Sequence, residues 1–303
     1  NDSRLESERM IDKLYAKLEL SKKPRTYRRK AKKQYLAIAK KKHKTNKEIH
    51  KAIGQQLRYV RRNLNTMEKL LDMFNQQWFP LNKRDQKIYW VIQHIYQQQK
   101  FMYDNKTKSC EHRIVNIYQP HVRPIVRGKA KTNVEFGSKQ GVSMINGYVR
   151  LNTLSWEAYN ESSDLIKQVE AYEQQHGYYP EVVITDKIYG TRDNRQWLKE
   201  KEVRFSGKSL GRPPKEQQTS YQKRKQNKEN GMRNQVEGKF GQGKNGYGLN
   251  KIRARLQNTS ESWVACIYFV MNLVKFTKDF LFCLIFRSVL RFRNSIKLFM
   301  DYV

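Results

Sequence analysis

Two acidic residues carry the chemistry in this chain. Asp186 closes the stretch PEVVITD, in which the apolar run Val182 to Ile184 ends in a single carboxylate. Glu237 lies in RNQVEGKFGQGK, among the cations Arg233, Lys239 and Lys244. Carboxylates are hard oxygen ligands suited to Mg²⁺. Two such ions about 4 Å apart clamp the attacking and leaving oxygens of a phosphodiester. If the fold brings Asp186 and Glu237 together, the chemistry is metal-assisted cleavage or transfer of a nucleic-acid strand. Each residue has an ordinary alternative. Asp186 can cap the following turn, KIYG, and Glu237 can be a salt-bridging helix residue.

The elements around Asp186 decide between these readings, because open α/β sheets place ligands just past the C-terminal ends of their strands. Val182 to Ile184 is continuously apolar, as in a strand buried on both faces. TRDNRQWLKEK follows as a helix and VRFSG as a short strand. Upstream, ESSDLIKQVEAYEQQHG is a helix that stops at Gly177. Before it, HRIVNIYQP alternates like a strand and ends at Pro120. TNVEFGSKQGVSMINGYVRLNTLSW supplies two more strands, with Gly141 and Gly147 near turns.

The first hundred residues have a different period. NDSRLESERMIDKLYAKLEL is an amphipathic helix. Thr45 opens TNKE, a capping box with Glu48. Ile49, Ile53, Leu57, Val60, Leu64, Met67 and Leu71 then recur at helical spacing. Pro80 breaks the pattern, and a second helix over 82–101 completes an antiparallel hairpin. Trp78, Phe79, Tyr89 and Trp90 are expected in its core. Residues 208–230 lack apolar periodicity and read as a mobile basic loop. The pattern resumes at Met232, and NTSESWVACIYFVMNLVKFTKDFLF is an apolar helix. The expected organisation is a helical segment over 1–103, an α/β core over 104–275 in which an antiparallel meander joins a parallel strand, and a basic, apolar tail over 276–303.

Charge narrows the partner. Of 303 residues, 61 are Lys or Arg and 28 are Asp or Glu, a net charge of +33. Folding does not require that surplus, and self-repulsion makes it costly, so it implies a polyanion. Nucleic acid leads, with an anionic membrane surface next. The run KKPRTYRRKAKKQYLAIAKKKHK over 22–44 is either a solvated face or a set of phosphate contacts. The three cysteines are far apart with no CxxC spacing, which fits a reducing, intracellular setting. The six histidines do not cluster, so no zinc site is expected. The longest apolar stretch, FLFCLIF, is much too short to span a bilayer.

With these residues in view, the chain resembles DDE transposases of bacterial insertion sequences, in the group related to insertion sequence 5. Arg233, Glu237 and Lys244 reproduce the R-(3)-E-(6)-K part of that family's C-terminal signature. The fuller form, Y-(2)-R-(3)-E-(6)-K, begins with a Tyr three residues before the Arg, and that position is Asn230 here. VVITDKIYGTRDNRQWL is similar to the family's second-Asp block, and QPHVRPIVRGKAKTNVEFGSKQGVS to its strand segment. The resemblance spans roughly residues 1–275.

It implies an RNase H-like mixed sheet with flanking helices and a triad of Asp, Asp and Glu holding two Mg²⁺ or Mn²⁺ ions. By this resemblance Asp186 is the second Asp and Glu237 the Glu. By the resemblance Arg233 and Lys244 contact DNA phosphates; Lys239, and Lys208, Arg212 and Lys215 of the basic loop, are expected to do the same, with the GRPPK loop ranked ahead of the run over 22–44. The implied partners are double-stranded DNA, at element ends and target, and a second copy of the chain in the DNA complex. A bacterial cytoplasm, at the nucleoid, is the implied location.

The family's first Asp stands on a first strand that is not found in this sequence. Asp104 lies in a polar turn and Asp12 on a helix face, so neither is a good substitute. The expectation is that the first Asp lies upstream of Asn1 and that this chain is N-terminally truncated. Three functions therefore compete: a transposase, a catalytically dead DNA-binding remnant that regulates an intact transposase, and another RNase H-like nuclease. A structural RNA-binding protein is a remote fourth.

Overall fold

The computed structural model describes residues 1–74, 79–126, 134–207, 210–211 and 219–300, with side chains described to residue 287. Described residues fall into two compact units, Asn1–Gly137 and Ser138–Val303. Residues 104–126 and 134–137 fall in the first of these units.

The first unit holds helices α1 (Asp2–Leu18), α2 (Arg28–Ala39), α3 (Asn46–Asp72) and α4 (Lys83–Asp104). Thr45 and Glu48 form the expected capping box at the start of α3. The apolar stripe then buries Val60, Leu64 and Met67 against Met10, Ile11 and Leu14 of α1 and Ile88 and Ile92 of α4. At about 25 cal/mol per Å² of apolar surface, this burial is what holds three polar-faced helices together. The α3–α4 pair is antiparallel, as His50 near the start of α3 stacks on Tyr103 near the end of α4. Tyr89 is buried, but Trp90 is 51% exposed, contrary to expectation. It sits about 100° round the helix from Tyr89 and so leaves the core face. Trp78 lies outside the described residues.

The segment 112–120 is not a strand. Its backbone bonds to side chains instead. Gln98 of α4 donates to the carbonyls of Glu111 and His112 and accepts from Ile114, and Asn116 accepts from Tyr118 two residues on. The first strands are β1 (Arg123–Val126) and β2 (Val134–Gly137), paired antiparallel.

Asp85, at the first turn of α4, is buried and accepts from Arg9 and Lys13 of α1 at 2.6 Å each. Burial pushes its carboxyl up, but the hydrogen bonds and charges of Arg9 and Lys13 outweigh burial and hold it below its ordinary value. Glu6 and Asp12 are likewise depressed. A carboxylate depressed in the folded state contributes stability that is present above its unfolded pKa, about 3.9–4.3, and lost as pH falls through the folded value. The melting temperature of this unit is therefore expected to fall as pH drops below about 4. Asp85→Asn should flatten that fall in thermal melts between pH 7 and pH 3. A wild-type melt that does not change over this range would contradict the assignment.

The second unit begins with a hairpin, β3 (Lys139–Ile145) and β4 (Tyr148–Ser155). Asn146 and Gly147 turn it with φ values of 52° and 80°, the left-handed pair that suits a two-residue hairpin turn. A 3-10 turn over Glu161–Asp164 leads into α5 (Leu165–His176), which ends at Gly177 with φ 79° as expected. Then come β5 (Val182–Ile184), α6 (Arg192–Glu200) and β6 (Arg204–Ser206). β5 and β6 pair in parallel, Ile184 beside Ser206. The unit ends in two long helices, α7 (Ser220–Gly246) and α8 (Gln257–Met300).

The architecture is α/β, with three two-stranded sheets among the described residues. The hairpin is not hydrogen-bonded to the parallel pair, so the expected joined meander is absent there. β5 is half-buried on every residue rather than buried on both faces. The segment expected as a loop to residue 230 is helical from Ser220. A second capping box, Thr219 with Gln222, starts α7, and a run of Lys, Arg, Gln and Glu with good helix propensity carries it without an apolar stripe. Residues 276–300, expected as a tail, continue α8. No helix among the described residues is long and apolar enough to cross a membrane.

Two clusters of buried side chains position the elements of this unit. Leu165, Val169, Leu198 and Val203 tie α5 and α6 to the start of β6. Val149, Leu249, Val264, Ile267, Tyr268 and Met271 pack α8 onto the hairpin and the end of α7.

Candidate active site

Asp186 stands two residues past β5, at the C-terminal end of the parallel pair. Its Oδ1 accepts from the amide of Lys187 at 2.7 Å, so it does cap the following turn. Capping occupies one oxygen. No hydrogen bond among the described residues reaches Oδ2, and the side chain is 64% exposed. Both the ordinary reading and the chemical one are thus compatible with the geometry: the turn fixes the carboxylate's direction and leaves an open oxygen facing solvent.

The element α7 brings to Asp186 is Arg233, whose Nη1 lies 3.9 Å from Oδ1. At that distance and exposure the ion pair contributes no more than about 1 kcal/mol. Its value is as a marker of which face of α7 points to the strand end. At about 100° per residue, Glu229, Arg233, Glu237 and Lys244 lie within one stripe of the helix. Glu237 follows Arg233 by one turn, about 6 Å along the axis, and is exposed. Lys239 lies on the opposite side. It is half-buried, and burial, together with the charges of Lys275 and Lys278 of α8, pushes its pKa down, against the pull of Asp279. Lys244 is exposed in the same stripe as Glu237. Lys208, Arg212 and Lys215 lie outside the described residues.

Three further carboxylates at this end of the unit were not singled out from the sequence. Glu229 accepts from Arg204 and from the Ser206 hydroxyl, which ties α7 to the C-terminal end of β6. These bonds hold its carboxyl below the ordinary range despite partial desolvation. Glu161 and Asp164, on the turn before α5, face Tyr189 of the turn after β5. Burial pushes the Tyr189 phenol up to about 12, and the charges of Glu161, Asp164 and Asp186 push the same way. Asp164 is buried and accepts from Tyr159 at 2.6 Å, and Glu161 pairs with Lys139 at 3.4 Å. The only local signal for them was the acid pair in ESSD, which reads equally as helix-start chemistry. Glu229 was detectable as a helical repeat eight residues before Glu237.

The donor chemistry fits a hard divalent ion. Mg²⁺ is typically held by one or two carboxylates and completes its shell with water and substrate phosphate. Asp186 with its open Oδ2 and the exposed Glu237 are oxygen donors of that kind. Among the described residues no three His, Cys, Asp or Glu side chains converge into a ready-made cage.

Residues 183–274 match the family described as transposase DDE domain. That span is just under a third of the chain and includes Asp186, Arg233, Glu237, Lys239 and Lys244. No match was found among curated proteins or solved structures.

Proposed function

We propose that this chain is a DNA transposase polypeptide of the DDE type, with Asp186 and Glu237 as two of its metal-holding carboxylates and Mg²⁺ or Mn²⁺ as the ion. The supporting observation is the coincidence of two independent facts. The matched domain contains both carboxylates, and Arg233, one helical turn before Glu237 on α7, comes within 3.9 Å of Asp186.

When bound, the ions supply Lewis-acid polarisation of a phosphodiester oxygen and a more acidic water. The chain's own residues do the rest. Asp186 Oδ2 and the Glu237 carboxylate hold the ions, and Arg233 and Lys244 on the same stripe bind backbone phosphates. In hydrolysis at an element end, water adds to phosphorus and the 3′-oxygen leaves with a proton. In strand transfer, that 3′-hydroxyl attacks a target phosphodiester in line, the bond from phosphorus to the target strand's 3′-oxygen breaks, and that oxygen leaves with the proton the attacking hydroxyl gives up. In this reading β3–β6 and their helices belong to an RNase H-like sheet, and the first Asp of the triad is not among these 303 residues.

A second reading, a DNA-binding remnant without catalysis, is favoured by Asp186 being engaged by its own turn and by Arg233. One experiment separates the two. Nicking of supercoiled DNA in Mn²⁺ is measured for this chain and for one extended upstream by the strand that would carry a first Asp. Nicking in the extended chain supports the transposase. Salt-sensitive binding with no nicking in either supports the remnant.

A further inference from the structure

The first unit carries a charged surface that the site in the second unit does not use. Arg58, Arg61, Arg62, Asn65, Thr66 and Lys69 of α3 line a shallow, open pocket of about 330 Å³. The opposite side of the same helix supplies Val60, Leu64 and Met67 to the core, so the pocket side is fixed outward. Arg58, Arg61, Arg62 and Lys69 are exposed, and among the described residues none of them pairs with a carboxylate. Elsewhere in this unit, Arg4, Arg9, Lys13 and Arg28 all have acidic partners. Four cations kept together, with Glu68 and Asp72 nearby on α3 but in ion-pair contact with none of them among the described residues, repel one another, which makes the cluster a cost to folding.

A second feature is built onto it. Tyr27 has φ 56°, a left-handed conformation that is unusual for an aromatic residue and signals strain. Its ring is taken up by two guanidinium groups, Arg25 at 4.6 Å and Arg62 at 4.3 Å from its centroid. The Tyr59 hydroxyl donates to Gln34, and Gln56 donates to the Ala31 carbonyl, which fastens α2 to α3. The basic helix α2 and the arginine pocket are therefore one surface, and Arg62 is held in place before any ligand arrives.

The geometry points to a binding site for the phosphate backbone of duplex DNA on α3, centred on Arg58, Arg61 and Arg62 and positioned by Tyr27. Arg, Lys, Asn and Thr side chains are the groups that contact DNA phosphates, and guanidinium groups do so bidentately. A membrane surface would call for a row of apolar anchors beside the cations, and this side of α3 offers one exposed apolar residue, Met73 at its C-cap. Single strands are bound on open aromatic faces, whereas the Tyr27 face is occupied by arginines. The site goes beyond the reading of the second unit, since it binds DNA whether or not that unit cuts it.

The test uses the full chain and a fluorescent random-sequence duplex, with anisotropy measured across a salt series. Each phosphate contact contributes about 0.9 to the slope of log K against log salt. The triple variant Arg58→Gln, Arg61→Gln, Arg62→Gln is expected to lower the slope by about 2–3. A control removes the same charge from the end of the hairpin where α3 begins and α4 ends, at exposed lysines that pair with no carboxylate among the described residues: Lys47→Gln, Lys106→Gln, Lys108→Gln. It should change the slope by less than about 1. Tyr27→Leu should lower the slope by about 1 through the loss of a fixed Arg62, and Tyr27→Phe should restore it. Circular dichroism confirms that each variant is folded. An unchanged slope in the folded triple variant, or an equal loss in the control, overturns the site. So does capture on phosphatidylserine vesicles that the triple variant loses while its DNA slope stays at the wild-type value.

Discussion

Glu237→Gln is expected to abolish Mn²⁺-dependent nicking by the upstream-extended chain, by at least about a hundredfold, and to leave duplex affinity within about twofold. The size follows from the role. Changing groups that only support a metal ligand typically costs 10–100-fold, so loss of a ligand costs more. The retained affinity follows from charge. Binding by a chain of +33 rests on many phosphate contacts, and Glu237 makes none. Glutamine keeps the length and helix propensity of the side chain, so α7 is undisturbed. Glu237 is exposed, so its replacement creates no cavity. The readouts are plasmid nicking and fluorescence anisotropy on the same preparation. Nicking near the wild-type rate would remove Glu237 from the ligand set. Loss of both nicking and affinity would make it a structural residue.

Met271→Ala should be the most destabilising single change in the second unit. Met271 is 2% exposed and packs with Val149, Val264 and Ile267 where α8 crosses the hairpin. It also lies beneath the last turn of α7. A Cβ placed on Gly243 would come within 3.5 Å of its sulfur and 3.1 Å of Leu249, so this turn packs closely on both side chains. Truncation removes the side chain on which α7 and α8 close, and buried Met→Ala typically costs about 2–5 kcal/mol. For a unit of this size that is roughly 4–20 °C in melting temperature. Differential scanning calorimetry checks it, and a shift under about 1 °C would show that Met271 is not a packing centre. Because Arg58, Arg61 and Arg62 belong to the first unit, their share of the DNA salt slope should survive below the lowered midpoint.

What could be read from the sequence was what is decided within a few residues. The Thr45–Glu48 box, the α3 stripe, the stop at Gly177 and the turn at Gly147 each depend on local dihedral and capping chemistry, and each is present. Misreadings came where distant groups decide. The alternation in HRIVNIYQP looked like a strand, but Gln98 of α4 takes up the backbone bonds that a neighbouring strand would have made. The start of α7 was missed because helices are found by their apolar stripe, and α7 buries only Gly243. Its first turns are held by a cap, by propensity and by the Glu229 contacts to β6. At the site, Asp186 was placed correctly at a strand end. The approach of Arg233, and of Glu161 and Asp164 around Tyr189, depends on tertiary packing that no spacing encodes. Lys239 illustrates the same limit: within the signature in sequence, it faces α8 and its cations.

The central claim is that Asp186 and Glu237 hold divalent ions at one site. Fe²⁺ bound in place of Mg²⁺ reduces added hydrogen peroxide to hydroxide and a hydroxyl radical, becoming Fe³⁺, and the radical cuts the polypeptide only near the ion. The measurement is Fe²⁺-mediated cleavage of the DNA-bound chain, with fragments mapped by mass. The account predicts cuts beside residue 186 and beside residue 237, both suppressed by excess Mg²⁺ and both lost in Asp186→Asn. Mg²⁺-sensitive cuts at neither position, or cuts at 237 that persist at full yield in Asp186→Asn, would contradict it.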